Sequence, residues 1–197
     1  LAMIVTKMCK NVWIVLVQRP DAEFMEKNNK HPLKCNYLSI TESDMKDVKT
    51  VSGKRKELFS VGIEADKFTP VSAEQQKMLK QKYGFDSSKP LVIHVGHCSK
   101  GRGFTKIHTA QRMVVASGMF EDENVVRILN EAKVKIHKGY LQNVEEVYQM
   151  ADAYLFPTRS AEFVISIPLS VMEALSCGVP VIGYKSFENL KEITGSD

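Results

Sequence analysis

Three stretches of the sequence gather residues suited to holding an anion. The first is Val95-Gly96-His97-Cys98-Ser99-Lys100-Gly101-Arg102-Gly103, which follows an apolar run and precedes a helical pattern. Its glycines let backbone approach a ligand closely, while His97, Lys100 and Arg102 offer cationic partners for phosphate. The spacing is neither G-x-G-x-x-G nor G-x-x-x-x-G-K-[ST], so neither a dinucleotide site nor a P-loop is indicated. Taken alone, it reads equally well as a solvated connection. The second stretch, Lys138-Gly139-Tyr140-Leu141-Gln142-Asn143, joins a strand to a helix, and its own residues ask for nothing more than a connecting loop. The third runs from Ile165 through Pro168, Leu169, Ser170, Glu173 and Gly178 to Ile182. Pro168 suits a first helical turn and Gly178 a left-handed stop, so the amides of Leu169 and Ser170 can point at an anion, with Glu173 one turn deeper.

Other chemistry is less well supplied. His94, His97 and Cys98 cluster in sequence, but no fourth ligand is evident, so no metal site is expected. The four cysteines, Cys9, Cys35, Cys98 and Cys177, lie far apart without a C-x-x-C pair, which points to reduced thiols in a reducing compartment. Cys177, beside Gly178 at a helix end, reads as packed rather than reactive.

The elements that must position these residues alternate. Residues 12–17 read as a buried strand, and 21–32 as a loop or exposed helix. A short strand over 37–40 follows, and Thr41 opens a helix with Asp44 three positions on. The basic stretch 51–56 is linker-like. From there the pattern runs strand 58–63, a helix from the Ser72-Ala73-Glu74-Gln75 capping box to Gly84, strand 91–95, and a short helix over 105–110. It continues with strand 113–116, helix 122–132 with Val125, Val126, Ile128 and Leu129 inward, and strand 134–137. A helix over 144–150 capped by Asn143 and Glu146, strand 153–156, helix 168–176 and strand 179–182 complete it. Strict alternation predicts an α/β fold, a Rossmann-like parallel sheet with helices on both faces, over residues 57–197, preceded by a separate segment 1–56.

A chain of 197 residues, 44% hydrophobic and 25% charged, is long enough to bury a core and excludes a disordered or collagenous chain. Its net charge of +4 is spread without a block of like charges, so no nucleic-acid partner is expected. No apolar run is long enough to span a membrane. The abrupt start at Leu1, without a secretory leader pattern, and the end soon after a helical pattern fit a piece of a longer chain.

In this order and spacing, the three stretches resemble the C-terminal half of a retaining, nucleotide-sugar-dependent glycosyltransferase of family 4, whose fold is the two-domain GT-B arrangement. The resemblance begins at Ser39-Ile40-Thr41-Glu42-Ser43-Asp44, similar to V-S-E-x-x-x-x-D, and continues through Gly62-Ile63-Glu64-Ala65-Asp66-Lys67-Phe68, similar to N-G-V-D-x-x-x-F. The first anion-holding stretch is similar to V-G-R-x-x-x-x-K-G, and residues 150–158 to A-D-x-x-x-x-P-S. Residues 168–182 are similar to L-x-x-L-E-A-x-A-x-G-x-P-V-I, the strongest single signature.

By position, the resemblance implies that Arg102 and His97 grip the donor diphosphate with help from Gly96 and the Leu169 and Ser170 amides. It also implies that the loop holding Leu141 receives the nucleobase and that Glu173 accepts the ribose hydroxyls. At position 97 the family has Arg. A histidine is charged only in part near neutrality, whereas Arg102 keeps a permanent, forked cation where the family has Lys. The family's first motif Glu is missing: eight positions before Glu173 stands Ile165, and the nearest carboxylate is Glu162, with ten intervening residues instead of seven. Either an enlarged loop brings Glu162 to the sugar, or the sugar is held differently. Val61, where the family commonly has Asn, is a lesser departure.

The implied activity is a hexosyl-type transfer from a nucleotide diphosphate sugar, such as a UDP-sugar, to an acceptor hydroxyl with retention, without metal or other cofactor. The resemblance makes residues 1–56 a remnant of the N-terminal domain with the interdomain segment; the acceptor, a lipid carrier, saccharide or protein, and the family's catalytic His belong to that other half, so this chain alone is expected to bind donor and not to transfer it. A cytoplasmic setting, with peripheral membrane association of the whole enzyme if the acceptor is a lipid, follows from the same resemblance. The rival from another class is a non-catalytic nucleotide-binding or interaction module of the same fold. A hydrolysing nucleotide-sugar 2-epimerase needs carboxylates and histidines that have no place here.

Overall fold

Strands pair in parallel throughout the described residues, and they fall in two separate sheets. The computed structural model describes residues 7–98, 109–116, 122–158, 164–185, 190 and 193. The chain divides into two units: Leu1–Gly62 with Ala161–Ile167, and Ile63–Ser160 with Pro168–Asp197.

The first unit contains β1 (Trp13–Leu16), α1 (Ala22–Lys30), β2 (Asn36–Ser39), α2 (Glu42–Met45) and β3 (Lys56–Leu58), with sheet order β1-β2-β3. The polar segment after Pro20 is helical because Asp21 caps it, its carboxylate accepting from the Phe24 amide at 2.7 Å. Glu23–Lys27 and Glu26–Lys30 ion pairs line its exposed side. Ile14 packs with Leu16, Tyr37, Met45, Val48 and Phe24 in the core of this unit. The run at 12–17, expected to be buried, is buried on one side only: Trp13 is 37% and Val15 50% exposed. Six apolar residues in a row carry no alternation that tells one face from the other. The strand expected at 58–63 as the opening of the Rossmann-like domain is shorter, and as β3 it pairs with β2 in this first sheet.

The second unit contains α3 (Ala73–Lys82), β4 (Leu91–Gly96), β5 (Gln111–Ala116), α4 (Glu123–Glu131), β6 (Lys135–Lys138), α5 (Val144–Gln149), β7 (Ala153–Phe156), α6 (Leu169–Ser176) and β8 (Val181–Gly183). Their sheet runs β6-β5-β4-β7-β8. This is the expected α/β, Rossmann-like architecture, with helices on both faces of the sheet. Ser72 and Gln75 form the expected capping box at the start of α3. Val114, Ala116, Leu129 and Val134 form a core under α4, with Val125 and Val126 packed against it. Ile128, expected inward, is 43% exposed. Asn143 does not cap α5 with its side chain; its carbonyl accepts from the Glu146 amide instead. At the far end of α6, Gly178 has φ +74, and the Gly178 and Val179 amides return to Leu175 and Ala174, so the left-handed stop forms. The short helix expected over 105–110 lies largely outside the described residues.

Candidate functional site

Strand order reverses between β4 and β7: the chain goes from β4 outward to β5 and β6, then returns to add β7 and β8 on the other side. In an open parallel sheet this reversal leaves a crevice beyond the carboxyl ends of the two central strands. Gly96 and His97 stand at the end of β4, Pro157 and Thr158 beyond the end of β7, and Gly139 to Leu141 beyond the end of β6. Because the strands are parallel, all three turns lie along one edge of the sheet.

Tyr154 connects two of the predicted stretches. Its ring is buried in β7, and its hydroxyl lies 3.1 Å from the Val95 carbonyl and 2.8 Å from Ser170 Oγ. One phenolic proton donated to the carbonyl leaves the oxygen to accept from Ser170. The residue before Gly96 and the first turn of α6 are thereby joined through one side chain.

That first turn is electropositive for two reasons. Intrahelical bonding begins with the Val171 amide, which reaches the Pro168 carbonyl at 3.0 Å, so the Leu169 and Ser170 amides precede the first helical bond. No acidic residue stands in the turn to neutralise the helix dipole. Beyond β7, Thr158 is 5% exposed, and its Oγ1 has no hydrogen-bond partner among the described residues.

Glu173 sits one turn further along α6 and accepts from the Tyr148 hydroxyl at 2.5 Å. Burial raises its pKa above the ordinary carboxylate value, and the Tyr148 hydrogen bond and the field of Lys67 only partly offset this. Lys67 pairs with Glu145 at 3.3 Å, and Phe68 packs edge-on against Tyr148, ring centroids 5.7 Å apart. Ser176 Oγ donates to the Phe68 carbonyl at 2.6 Å, and Gln149 to the Thr69 carbonyl at 3.1 Å. Phe68 is therefore held by both α5 and α6.

Of the predicted site residues, Gly96, His97, Leu169, Ser170 and Glu173 gather around the end of β4 and the first turns of α6. Leu141, half-buried, lies after β6, two strands from β4. Gly139 there has φ +88, which turns the chain as it leaves β6. Arg102 and Glu162 lie outside the described residues. Sequence reasoning missed Tyr148, Tyr154 and Lys67. The tyrosines read as core aromatics, and their hydroxyl partners are 16 to 25 residues away for side-chain contacts on α6. Lys67 stood inside a quoted motif, and its charge was the signal that went unused.

His94, a nominal metal ligand in the sequence, is 1% exposed, with Nδ1 2.9 Å from the Leu155 carbonyl and its ring stacked on Tyr154. It belongs to the core beneath the site. Among the described residues no group of three or more His, Cys, Asp and Glu is assembled to hold a metal ion, and no helix is long and apolar enough to cross a membrane.

Comparison with known proteins agrees with this geometry. The family model for glycosyl transferases group 1 matches residues 102–196. The mannosylfructose-phosphate synthase of Agrobacterium fabrum (strain C58) is 22% identical over 154 residues, 66% of this chain and 33% of that protein. The N-acetyl-alpha-D-glucosaminyl L-malate synthase of Bacillus anthracis is 28% identical over 118 residues, 53% of this chain and 30% of that protein. The crystal structure of Anabaena HepE, solved with UDP and glucose, superimposes with a TM-score of 0.68 at 14% identity, covering 88% of this chain and 52% of that one. The chain thus spans about a third of the length of these curated relatives and about half that of the solved structure. The likeness to the solved structure shows the fold, an α/β, Rossmann-like arrangement shared with that chain.

Proposed function

We propose that the second unit is the donor-binding part of a glycosyltransferase that moves a hexosyl group from a nucleotide diphosphate to an acceptor hydroxyl with retention at the anomeric carbon. The observation that carries this reading is the Tyr154 hydroxyl between the Val95 carbonyl and Ser170 Oγ, which assembles a glycine turn and an unneutralised helix start at the reversal of strand order. A diphosphate set there meets the Leu169 and Ser170 amides, and Arg102, which follows β4 in the sequence and lies outside the described residues, is the permanent cation assigned to it. As the bond between the sugar and the diphosphate breaks, negative charge grows on the leaving oxygen. Preoriented amides and a guanidinium stabilise that charge most where water is excluded, and they do so without a metal ion. Glu173 receives the ribose hydroxyls and the turn after β6 the base, with UDP favoured because HepE was solved with it. The first unit belongs with the acceptor-binding half, and the reaction takes place in the cytoplasm.

A thermal-shift screen of nucleoside diphosphates and their sugar conjugates tests the reading, since a ligand that binds only the folded chain raises its melting temperature by mass action. UDP or another nucleoside diphosphate should stabilise the chain more than the corresponding nucleoside or free sugar. Equal response to all of them would leave the non-catalytic reading standing.

A further inference from the structure

Among the described residues two aromatic rings close on Tyr148, all within the second unit. Tyr148 stands in α5 and is 0% exposed. Phe68 meets its ring edge-on, and the ring of Tyr154 lies tilted against it with centroids 5.8 Å apart. Phe68 is in turn tied to both helices: Ser176 of α6 donates to its carbonyl, and Gln149, next to Tyr148 on α5, donates to the Thr69 carbonyl. A fully buried ring packed against two others is confined to one rotamer, and its hydroxyl is fixed with it.

That hydroxyl has a single proton, and it donates it to Glu173 Oε2 at 2.5 Å. The described residues give the other oxygen, Oε1, no hydrogen bond. Lys67 acts on the carboxylate only through its field, since its ammonium is paired with Glu145 at 3.3 Å. Tyr148 therefore affects Glu173 in two ways: it holds the carboxylate in one orientation, and it favours the ionised form against burial. An oriented carboxylate with one oxygen uncommitted is a strong acceptor for a hydroxyl. A buried acceptor of this kind also rejects a ligand that lacks the hydroxyl, because the ligand would leave it unpaired.

We infer that Tyr148 is a positioning residue that makes the site selective for ribonucleotides: by pinning Glu173 Oε2 it leaves Oε1 to the sugar hydroxyls, and so sets the preference for ribose over a pentose without them. The inference deepens the donor-binding reading and rests on it for its consequence on ligand affinity, but not for its structural content. Tyr148 acts through Glu173 and touches no ligand itself.

The test uses the whole chain as wild type, Tyr148→Phe and Phe68→Leu, titrated calorimetrically with UDP and with 2′,3′-dideoxy-UDP. Tyr148→Phe keeps the ring and removes the hydroxyl, whereas Phe68→Leu keeps the hydroxyl and loosens the ring. Wild type should bind UDP about tenfold more tightly than the dideoxy compound, the scale of one hydrogen bond to a charged group. Tyr148→Phe should lose most of that preference while its affinity for dideoxy-UDP stays within about twofold of wild type, and Phe68→Leu should lose part of it. A preference that survives intact in Tyr148→Phe, or equal weakening of both ligands in both variants, overturns the inference. The Glu173 carboxyl, followed by carboxyl-carbon NMR without ligand, should titrate at higher pH in Tyr148→Phe than in wild type. If the wild-type chain does not distinguish the two nucleotides, the donor-binding reading of Glu173 fails. The ligand-free titration still decides the positioning role, which an unmoved midpoint overturns.

Discussion

Glu173 has a cost and a use that pull in opposite directions. Its half-buried carboxyl has a folded-state pKa raised above its unfolded value, first by loss of water and despite Tyr148 and Lys67. A carboxyl shifted in that direction favours folding when protonated. Its contribution is fully present below the unfolded pKa and is lost as pH rises through the folded one, so at neutral pH the ionised group is a net burden. Glu173→Gln keeps an acceptor for the Tyr148 hydroxyl and removes the charge. It should melt higher than wild type at neutral pH, with the gap closing as the pH is lowered to about 4, while UDP affinity falls several-fold. A variant melting below wild type at pH 7 contradicts this account of the site. The thiols divide similarly by burial: Cys9 is exposed, whereas Cys35, Cys98 and Cys177 are buried, and burial pushes the Cys177 thiol up to about 11. Brief alkylation of the native chain should modify Cys9 and spare Cys177, read by mass spectrometry.

At the scale of elements, α5 is tied to α3 by polar contacts in place of a cap. Lys82 Nζ reaches both Glu146 oxygens at 2.8 and 2.7 Å, and the Tyr83 hydroxyl donates to Oε2 at 2.8 Å. Lys82 above all, and then Tyr83, hold the Glu146 carboxyl below its usual value against the opposing effect of burial. This contribution has the opposite sign to that of Glu173: it is present above the unfolded carboxyl pKa and is lost as the pH falls through the folded one. Glu146→Gln should cost about 1 kcal/mol in urea unfolding near pH 7, a small figure because Lys82 is 55% exposed and its charge is screened by water. The penalty should shrink in acid. The elements themselves show what a single sequence carries. The Ser72–Gln75 capping box and the Gly178 stop were legible because their partners lie within a few residues. Which face of β1 is buried, that Ile128 points outward and that β3 pairs with β2 were not legible, because each depends on neighbours distant in the chain. The same division holds in the site. Gly96, Leu169 and Ser170 announce themselves by local turn and helix chemistry, whereas the tyrosines that join them do not.

At the scale of the whole molecule, the described residues form two parallel sheets, and the chain spans about half of the solved structure it resembles. The proposed reading gives donor binding to the second unit and acceptor recognition to residues outside this chain. Incubated with UDP-glucose and simple acceptors, it should therefore bind the nucleotide and release no sugar or product above the uncatalysed background, as followed by chromatography. Steady turnover by this chain alone would mean that the acceptor and its activating groups have been placed in the wrong half.

The central claim is that a diphosphate is held between the start of α6 and the turn after β4. Calorimetric titration of UDP into the wild-type chain and into Arg102→Ala tests it most directly. The account predicts saturable one-site binding that weakens by roughly 1.5 to 3 kcal/mol on loss of the guanidinium, the scale of a charged hydrogen bond. Equal affinity in the two proteins would contradict it.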